Sequence, residues 1–231
     1  MLLSLPNVIT CLNLFSGCVG IVFAFNGDLK SAGYAILLAA FFDFFDGLAA
    51  RALKINSALG KELDSLADVV SFGFLPSVII FQLIGTSTGS EQQASWLPYT
   101  AFILTIFSAL RLAKFNIDTR QSDSFIGLPV PSSALVVLSI PYLIEQPGFI
   151  GDIFQSTAGL LVLIGVLSLL MISELPLIAL KFKSLDIQKN AYQYTLIILS
   201  IIFFALFKFA AIGLIIVTYI LLSVLKLSTK R

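Results

Sequence analysis

The sequence predicts an all-α polytopic membrane protein with about eight transmembrane helices. Of its 231 residues, 58% are hydrophobic and only 12% are charged, which is far from the average of a soluble domain. Apolar runs occupy nearly the whole length, and no polar segment is long enough to fold by itself. We therefore expect one transmembrane domain that covers residues 1–231.

The apolar runs give the predicted spans. A helix that crosses the bilayer needs about 20 apolar residues, within a range of roughly 17–25. Six segments meet this requirement, at residues 6–26, 31–50, 64–85, 96–117, 128–145 and 156–181. The last block, 191–226, is too long for one upright span, since a helix rises about 1.5 Å per residue. We divide it at Phe207-Lys208-Phe209 into two short spans, and one long tilted helix is the alternative.

The basic residues predict the orientation. With eight spans and a cytoplasmic N-terminus, only Lys30 and Lys208 of the 14 basic residues fall on the outer side. The inner side holds Arg51, Lys54, Lys61, Arg111, Lys114, Arg120, Lys181, Lys183, Lys189, Lys226, Lys230 and Arg231. The positive-inside rule predicts this asymmetry, and a seven-span arrangement would place the basic C-terminus outside. We expect an integral protein of the cytoplasmic membrane with both termini in the cytoplasm.

Composition excludes several kinds of chemistry. The net charge of +1 does not indicate a nucleic acid partner, and the chain has no histidine, the commonest general base and transition-metal ligand. Cys11 and Cys18 have no metal-binding spacing, and we interpret them as small buried hydrophobic residues. The N-terminus lacks a basic region and a cleavage site, so we interpret it as the first span.

Four aspartates lie in the stretch DFFDGLAARALKINSALGKELDSLAD at residues 43–68. Asp43 and Asp46 are three residues apart, and Asp64 and Asp68 are four apart, so each pair shares one face of a helix. The first pair falls near the end of the second predicted span, and the second pair opens the third. All four are therefore predicted to gather in a cytoplasm-facing active site at headgroup depth.

This acidic group needs positive charge. Three basic residues lie nearby in the sequence, namely Arg51, Lys54 and Lys61. They face four aspartates and Glu62, so salt bridges at the membrane interface are one interpretation, and the surplus of acid argues against it. Oxygen ligands without histidine or thiolate suit Mg²⁺, Mn²⁺ or Ca²⁺. A divalent ion would offset the charge and also bind a phosphate substrate.

Small residues accompany the acids. Gly47 and Ala50 follow the first pair on its helix face, and Gly60 precedes Asp64 by one turn. Such residues let a ligand or another backbone approach closely, although ordinary helix packing requires them too. Arg51, one turn beyond Gly47, is placed to hold a diphosphate.

The spacing Asp43-x2-Asp46-Gly47-x2-Ala50-Arg51-x8-Gly60-x3-Asp64-x3-Asp68 resembles the signature of the CDP-alcohol phosphatidyltransferases at every position. The resemblance implies a divalent-metal site made by the four aspartates, with Asp68 as general base. It implies that CDP-lipid binds near Asp43, Gly47, Ala50, Arg51 and Gly60. It also implies that an acceptor alcohol attacks the phosphate attached to the diacylglycerol, that CMP leaves, and that the protein is a homodimer.

Further stretches resemble the serine-using branch of this family. They are Pro6-Asn7 with Thr10, Asn13, Leu14 and Gly17; Val70-Ser71-Phe72-Gly73 with Pro76; ALRLAKFN at 109–116; and GLPVPSSA at 127–134. The implied partners are CDP-diacylglycerol and L-serine, and the implied products are phosphatidylserine and CMP. Glycerol 3-phosphate or an inositol phosphate is the alternative acceptor within the family.

Serine carries a carboxylate and an ammonium group as well as its hydroxyl. Arg111 is the candidate to bind the carboxylate, and Asn116, Ser71 or an aspartate oxygen is the candidate to bind the amine. The alternative role for Arg111 and Lys114 is anchoring at the inner membrane surface. Ser132 and Ser133 follow Pro131 and are expected to satisfy backbone groups there. Glu174, just before Pro176, is either a functional contact or the partner of a basic residue.

An ion-coupled transporter is the rival class, because charges inside a membrane also mark ion pathways. The acids here cluster at one interface instead of following a path across the midplane, and the two halves show no inverted repeat. A purely structural protein would leave the four aspartates without a role.

Overall fold

The computed structural model describes residues 4–55, 57–87, 96–118, 126–178 and 190–228, and the regular structure of these ranges is helical. One isolated β-bridge joins Ile126 to Pro176, and no strand forms within the described ranges. Several long apolar helices make the chain an integral membrane protein. Some residues used above to predict orientation lie outside the described ranges, namely Arg120, Lys181, Lys183, Lys189, Lys230 and Arg231.

The N-terminal half supplies the helices that carry the aspartates. They are α1 (Leu5–Phe25), α2 (Leu29–Ala52), α3 (Ala58–Asp68), a π-helical turn (Val69–Phe74) and α4 (Leu75–Ser87). Asp28 caps α2 by accepting a hydrogen bond from the Ser31 N–H at 3.1 Å. Hydrogen bonding from Ser31 also holds the pKa of the Asp28 carboxyl below its ordinary value. Ser57 caps α3 by accepting from the Gly60 N–H at 2.9 Å. Helical structure continues over Ala58–Ser87, so the helix begins six residues before the predicted start of the third span at residue 64.

The middle of the chain contains a 3₁₀ turn (Leu97–Phe102), α5 (Ile103–Ile117), α6 (Val130–Leu143), α7 (Phe149–Gln155) and α8 (Thr157–Ile172). The predicted end of the sixth span at residue 181 is wrong, because α8 ends at Ile172. Pro176 explains this end, since proline lacks a backbone donor and restricts the residue before it. The chain beyond α8 instead runs beside residues 126–128, where the Gly127 N–H donates to the Leu175 carbonyl at 2.9 Å.

The last apolar block is broken where the sequence predicts. It forms α9 (Ala191–Phe207), a 3₁₀ turn (Lys208–Ala210) and α10 (Ala211–Ser228). Lys208 has a φ of 51°, which interrupts the helix. The Lys226 ammonium lies 5.8 Å from the centre of the Tyr192 ring, so the far ends of the two helices meet and the pair forms a hairpin.

Five helical stretches are long and apolar enough to cross a membrane, and the pair α7 and α8, bent by 85°, makes a sixth if it counts as one span. The five are Leu5–Phe25, Leu29–Ala52, Ala58–Ser87, Leu97–Ile117 and Ala191–Ser228. Val130–Leu143 is apolar but has only 14 residues. The count of eight spans therefore stays a prediction.

Helix α1 places its polar and small residues inside the bundle and its apolar residues outside. Its buried face comprises Pro6, Asn7, Thr10, Asn13, Ser16, Gly17, Gly20 and Ala24. The expectation that Cys11 and Cys18 are buried is wrong, since both are exposed. Seven residues make about two turns, so both cysteines share one face of α1, and this face lies away from the buried polar face.

Candidate active site

Three of the four aspartates converge. Asp43 on α2 and Asp64 and Asp68 on α3 each offer one carboxylate oxygen, and these three oxygens lie within 4.8 Å of one another. Asp64 and Asp68 are one turn apart on the same face of α3, which lies against α1. The two acidic helix faces therefore meet at one end of the bundle.

The fourth aspartate, Asp46, lies outside this group of three. Its side chain is buried, with 6% exposure, and its Oδ2 accepts a hydrogen bond from the Thr10 hydroxyl at 2.7 Å. Asp46 instead lines a neighbouring cavity together with Asp64. Asp46 thus lies beside the group of three carboxylates, near enough to interact electrostatically with Asp43, Asp64 and Asp68.

Asp68 is also contacted by α1. Its Oδ1 accepts a hydrogen bond from the Asn13 side-chain amide at 3.2 Å, and its side chain is 6% exposed. The Ser71 hydroxyl donates to the Asn13 backbone carbonyl at 3.0 Å, which ties the π-helical turn to the same point of α1. A Cβ added at Gly17 would lie only 2.9 Å from the Ser71 Cα, so glycine permits this close packing.

Thr10 and Asn13 contact two of the aspartates, and the sequence reasoning did not place them in the site. The available signal was their spacing, because two polar residues three apart in an apolar helix share one inward face. Both also belong to the stretch that resembles the serine-using branch.

The geometry of the acidic group fits a divalent cation. Asp64 Oδ1 is buried and makes no hydrogen bond with any described residue. The ion pairs found among the described residues, Lys30–Glu145 and Lys114–Glu174, do not involve the four aspartates, so the salt-bridge interpretation fails for this part of the chain. Buried or half-buried carboxylates that have no basic partner among the described residues need another positive charge, and a set of oxygen ligands suits Mg²⁺, Mn²⁺ or Ca²⁺.

A cavity of about 250 Å³ lies beside the carboxylates. Its lining comprises Pro6, Asn7, Thr10, Asp46, Gly47, Ala50, Ile55, Ser57, Gly60, Lys61 and Asp64. Three residues predicted to contact CDP-lipid, Gly47, Ala50 and Gly60, are in this lining, whereas Asp43 and Arg51 are not.

Arg51 nevertheless lies close to the cavity. Its guanidinium nitrogen Nη1 is 3.4 Å from the position that a Cβ on Gly47 would occupy. A Cβ on Gly60 would lie 3.0 Å from the Ser57 hydroxyl and 3.2 Å from Asn7 Oδ1. Side chains at either glycine would therefore narrow the opening that they border.

The three candidate acceptor residues have different environments. Ser71 is fully buried, and its hydroxyl is used within the fold. Arg111 is 4% exposed, and its guanidinium lies 4.9 Å from the centre of the Phe115 ring. The Asn116 amide donates to the Ser65 hydroxyl at 2.8 Å, which links the end of α5 to α3.

The structure also tests the roles predicted for Glu174 and Ser133. Glu174 accepts from the Lys114 ammonium at 2.7 Å, so the alternative of a partner for a basic residue is confirmed. The Ser133 hydroxyl is buried and makes no hydrogen bond with described residues. Its predicted role in satisfying backbone groups is therefore wrong, because its own helix already supplies the local backbone hydrogen bonds, including Ser133 N–H to the Pro129 carbonyl at 3.1 Å.

Comparison with known proteins adds four findings, a matching family model and three relatives. The family model described as CDP-alcohol phosphatidyltransferase matches residues 3–171. A CDP-diacylglycerol–serine O-phosphatidyltransferase of Helicobacter pylori strain J99 is 34% identical over 201 residues, which is 86% of this chain and 81% of the relative. The protein of that name from Bacillus subtilis strain 168 is 37% identical over 144 residues, 60% of this chain and 76% of the relative. An archaetidylserine synthase of Methanothermobacter thermautotrophicus is 30% identical over 181 residues, 75% of this chain and 69% of the relative.

Proposed function

The chain belongs to the CDP-alcohol phosphatidyltransferase family, and from this premise we propose that it transfers a phosphatidyl group from CDP-diacylglycerol to the hydroxyl of L-serine. The products are phosphatidylserine and CMP. The observation that carries the proposal is the convergence of three carboxylates within 4.8 Å beside a cavity that Asp46, Gly47 and Gly60 help to line. The names of the three relatives reported above all include serine, which supports this acceptor.

In this proposal the aspartates hold a divalent ion, Mg²⁺ or Mn²⁺, with Ca²⁺ as a further candidate. Asp43, Asp64 and Asp68 supply the central oxygens, and Asp46 supplies charge at the cavity. When bound, the ion neutralises the diphosphate and stabilises the charge that develops as the phosphoryl group moves. The cavity leaves room for the CDP portion, and Arg51 binds the diphosphate from its position over Gly47.

Asp68 is proposed as the general base. Its carboxylate removes the proton of the serine hydroxyl, whose oxygen forms a bond to the phosphorus that bears the diacylglycerol. The bond between that phosphorus and the oxygen bridging to CMP breaks, and CMP leaves with the electron pair.

Arg111 is proposed to bind the serine carboxylate, with Asn116 at the amine. A buried guanidinium that matches a carboxylate rejects an acceptor without one, since the cation would lose its partner. Ethanolamine should therefore be a much poorer acceptor than serine.

We also propose eight spans in the cytoplasmic membrane, with both termini and the active site facing the cytoplasm, and a homodimer. The distribution of basic residues along the sequence supports this orientation. The cytoplasmic side is where a soluble acceptor is available, while the apolar spans accommodate the acyl chains.

An acceptor panel tests the proposal. Purified protein in detergent micelles receives CDP-diacylglycerol, Mn²⁺ or Mg²⁺, and serine, ethanolamine, glycerol 3-phosphate or an inositol phosphate in separate reactions. We expect CMP and phosphatidylserine with serine, and little product with the others. Preference for glycerol 3-phosphate would overturn the choice of acceptor, and absence of CMP release with every acceptor and metal would overturn the enzymatic function.

A further inference from the structure

We propose that Thr10 and Asn13 on α1 are positioning residues that orient the carboxylates of Asp46 and Asp68. This inference rests on the proposed function, because it assigns these two side chains a role in the same reaction. Thr10 contacts Asp46 at 2.7 Å, and Asn13 contacts Asp68 at 3.2 Å, so one helix reaches an aspartate on α2 and another on α3.

The placement of both residues follows from helix geometry. Residues three apart lie on one face, and this face of α1 is buried against the helices that carry the acids. The Thr10 hydroxyl lies within hydrogen-bond distance of the Pro6 carbonyl at 3.1 Å and of Asp46 at 2.7 Å. A hydroxyl has only one proton, and the shorter distance and the charged acceptor favour Asp46.

Asn13 gives the strongest reason for a functional role. Its amide nitrogen donates to Asp68, but its Oδ1 is buried and has no hydrogen-bond partner among the described residues. An unpaired buried acceptor destabilises a fold, so a leucine of similar size would suit the packing better. The hydrogen bond that its side-chain NH₂ group donates to Asp68 therefore explains why asparagine occupies this position.

A hydrogen bond to one carboxylate oxygen fixes the rotation of the carboxylate. With Oδ1 of Asp68 held by Asn13, its other oxygen has a defined direction relative to Asp43 and Asp64. Partners that orient metal-binding carboxylates typically change metal affinity or activity about 10–100-fold when they are removed. We expect effects of this size without unfolding of the protein.

The test compares Asn13→Leu, Thr10→Val and Thr10→Ser with a matched control. Ser16→Ala is that control, since Ser16 is a buried polar residue of α1 whose hydroxyl donates to the Leu12 carbonyl of its own helix. Mn²⁺ binding is measured by electron paramagnetic resonance without substrate, and thermal unfolding and the kcat and KM values for serine transfer are measured separately.

Asn13→Leu should bind Mn²⁺ about 10–100-fold more weakly, keep a lower kcat at saturating Mn²⁺, and unfold at or above the wild-type temperature. Thr10→Val should raise the KM for CDP-diacylglycerol, because Asp46 lines the cavity, and Thr10→Ser should restore it. Ser16→Ala should match the wild type in every measurement.

Two results would overturn the inference. One is that Asn13→Leu and Thr10→Val match Ser16→Ala in Mn²⁺ affinity and kinetics. The other is that their losses appear only together with a lower unfolding temperature, which would make both residues purely structural. If the wild type forms no phosphatidylserine, the proposed function fails, while the Mn²⁺ and unfolding measurements still decide the role of Asn13.

Discussion

The three converging carboxylates repel one another when no cation is bound. We therefore predict that removing one of them stabilises the metal-free protein and weakens its stabilisation by metal. At 4.8 Å and an effective dielectric constant of about 20, each pair of charges costs about 3.5 kcal/mol. Three fully charged pairs would cost about 10 kcal/mol, and Asp64 takes part in two of them. Replacing Asp64 with asparagine keeps its shape and removes as much as about 7 kcal/mol of repulsion.

Asp64→Asn should therefore stabilise the metal-free protein. For a chain of this size, each 1 kcal/mol shifts Tm by about 2–4 °C, so even part of the relieved repulsion raises Tm by several degrees. The wild type should gain about 2.7 kcal/mol at a Mn²⁺ concentration of about 100 times Kd, which corresponds to about 5–10 °C. The variant should lose this gain, because one of the three central ligands is gone.

Scanning calorimetry of detergent-solubilised protein, in EDTA and in Mn²⁺, measures both effects. Glu62→Gln is the matched control, since Glu62 is an exposed acid on the same helix and lies outside the cluster. It should leave both Tm values unchanged. The reasoning is refuted if Asp64→Asn lowers Tm in EDTA, or if Mn²⁺ stabilises the variant as much as the wild type.

Three further predictions concern the base, the acceptor and the topology. Asp68→Asn should lower kcat by about 10²–10⁴-fold at saturating metal and still bind CDP-diacylglycerol; recovery of the rate in excess metal would make Asp68 only a ligand. Arg111→Ala should raise the serine KM or abolish transfer while CDP-diacylglycerol binding persists, and an unchanged serine KM would exclude Arg111 from the acceptor site. In a cysteine-free background, a cysteine at Asp152 should react with an impermeant reagent added outside and one at Ser228 should not, whereas external labelling at Ser228 would contradict a cytoplasmic C-terminus.

The sequence predicts the helical membrane fold well because hydropathy and length are local properties. The break near Lys208 follows from the length limit on a span, and the structure places it there. The end of α8 at Ile172 was not predictable from hydropathy, because the apolar pattern continues past the last helical residue. Pro176 was the local signal for that end, and pairing with residues 126–128 completes it.

The acidic site was predictable in its residues but not in its grouping. Spacings of three and four predict that each aspartate pair shares a face, and the two pairs do meet. Residues three apart still differ by about 60° around the helix axis, so Asp43 and Asp46 do not point in the same direction. Which of them joins the cluster depends on how α2 is rotated against α3, and that rotation is set by tertiary packing, such as the contact of Gly20 on α1 with Ala35 on α2.

The central claim is that the hydroxyl oxygen of serine becomes bonded to the phosphorus of CDP-diacylglycerol in a reaction that needs a divalent metal. Serine labelled with ¹⁸O in its hydroxyl tests this directly when the lipid and nucleotide products are analysed by mass spectrometry with Mn²⁺ and with EDTA. We predict one labelled phosphatidylserine for each unlabelled CMP in Mn²⁺, and neither product in EDTA. Release of CMP without labelled lipid, or equal product in EDTA, would contradict the account.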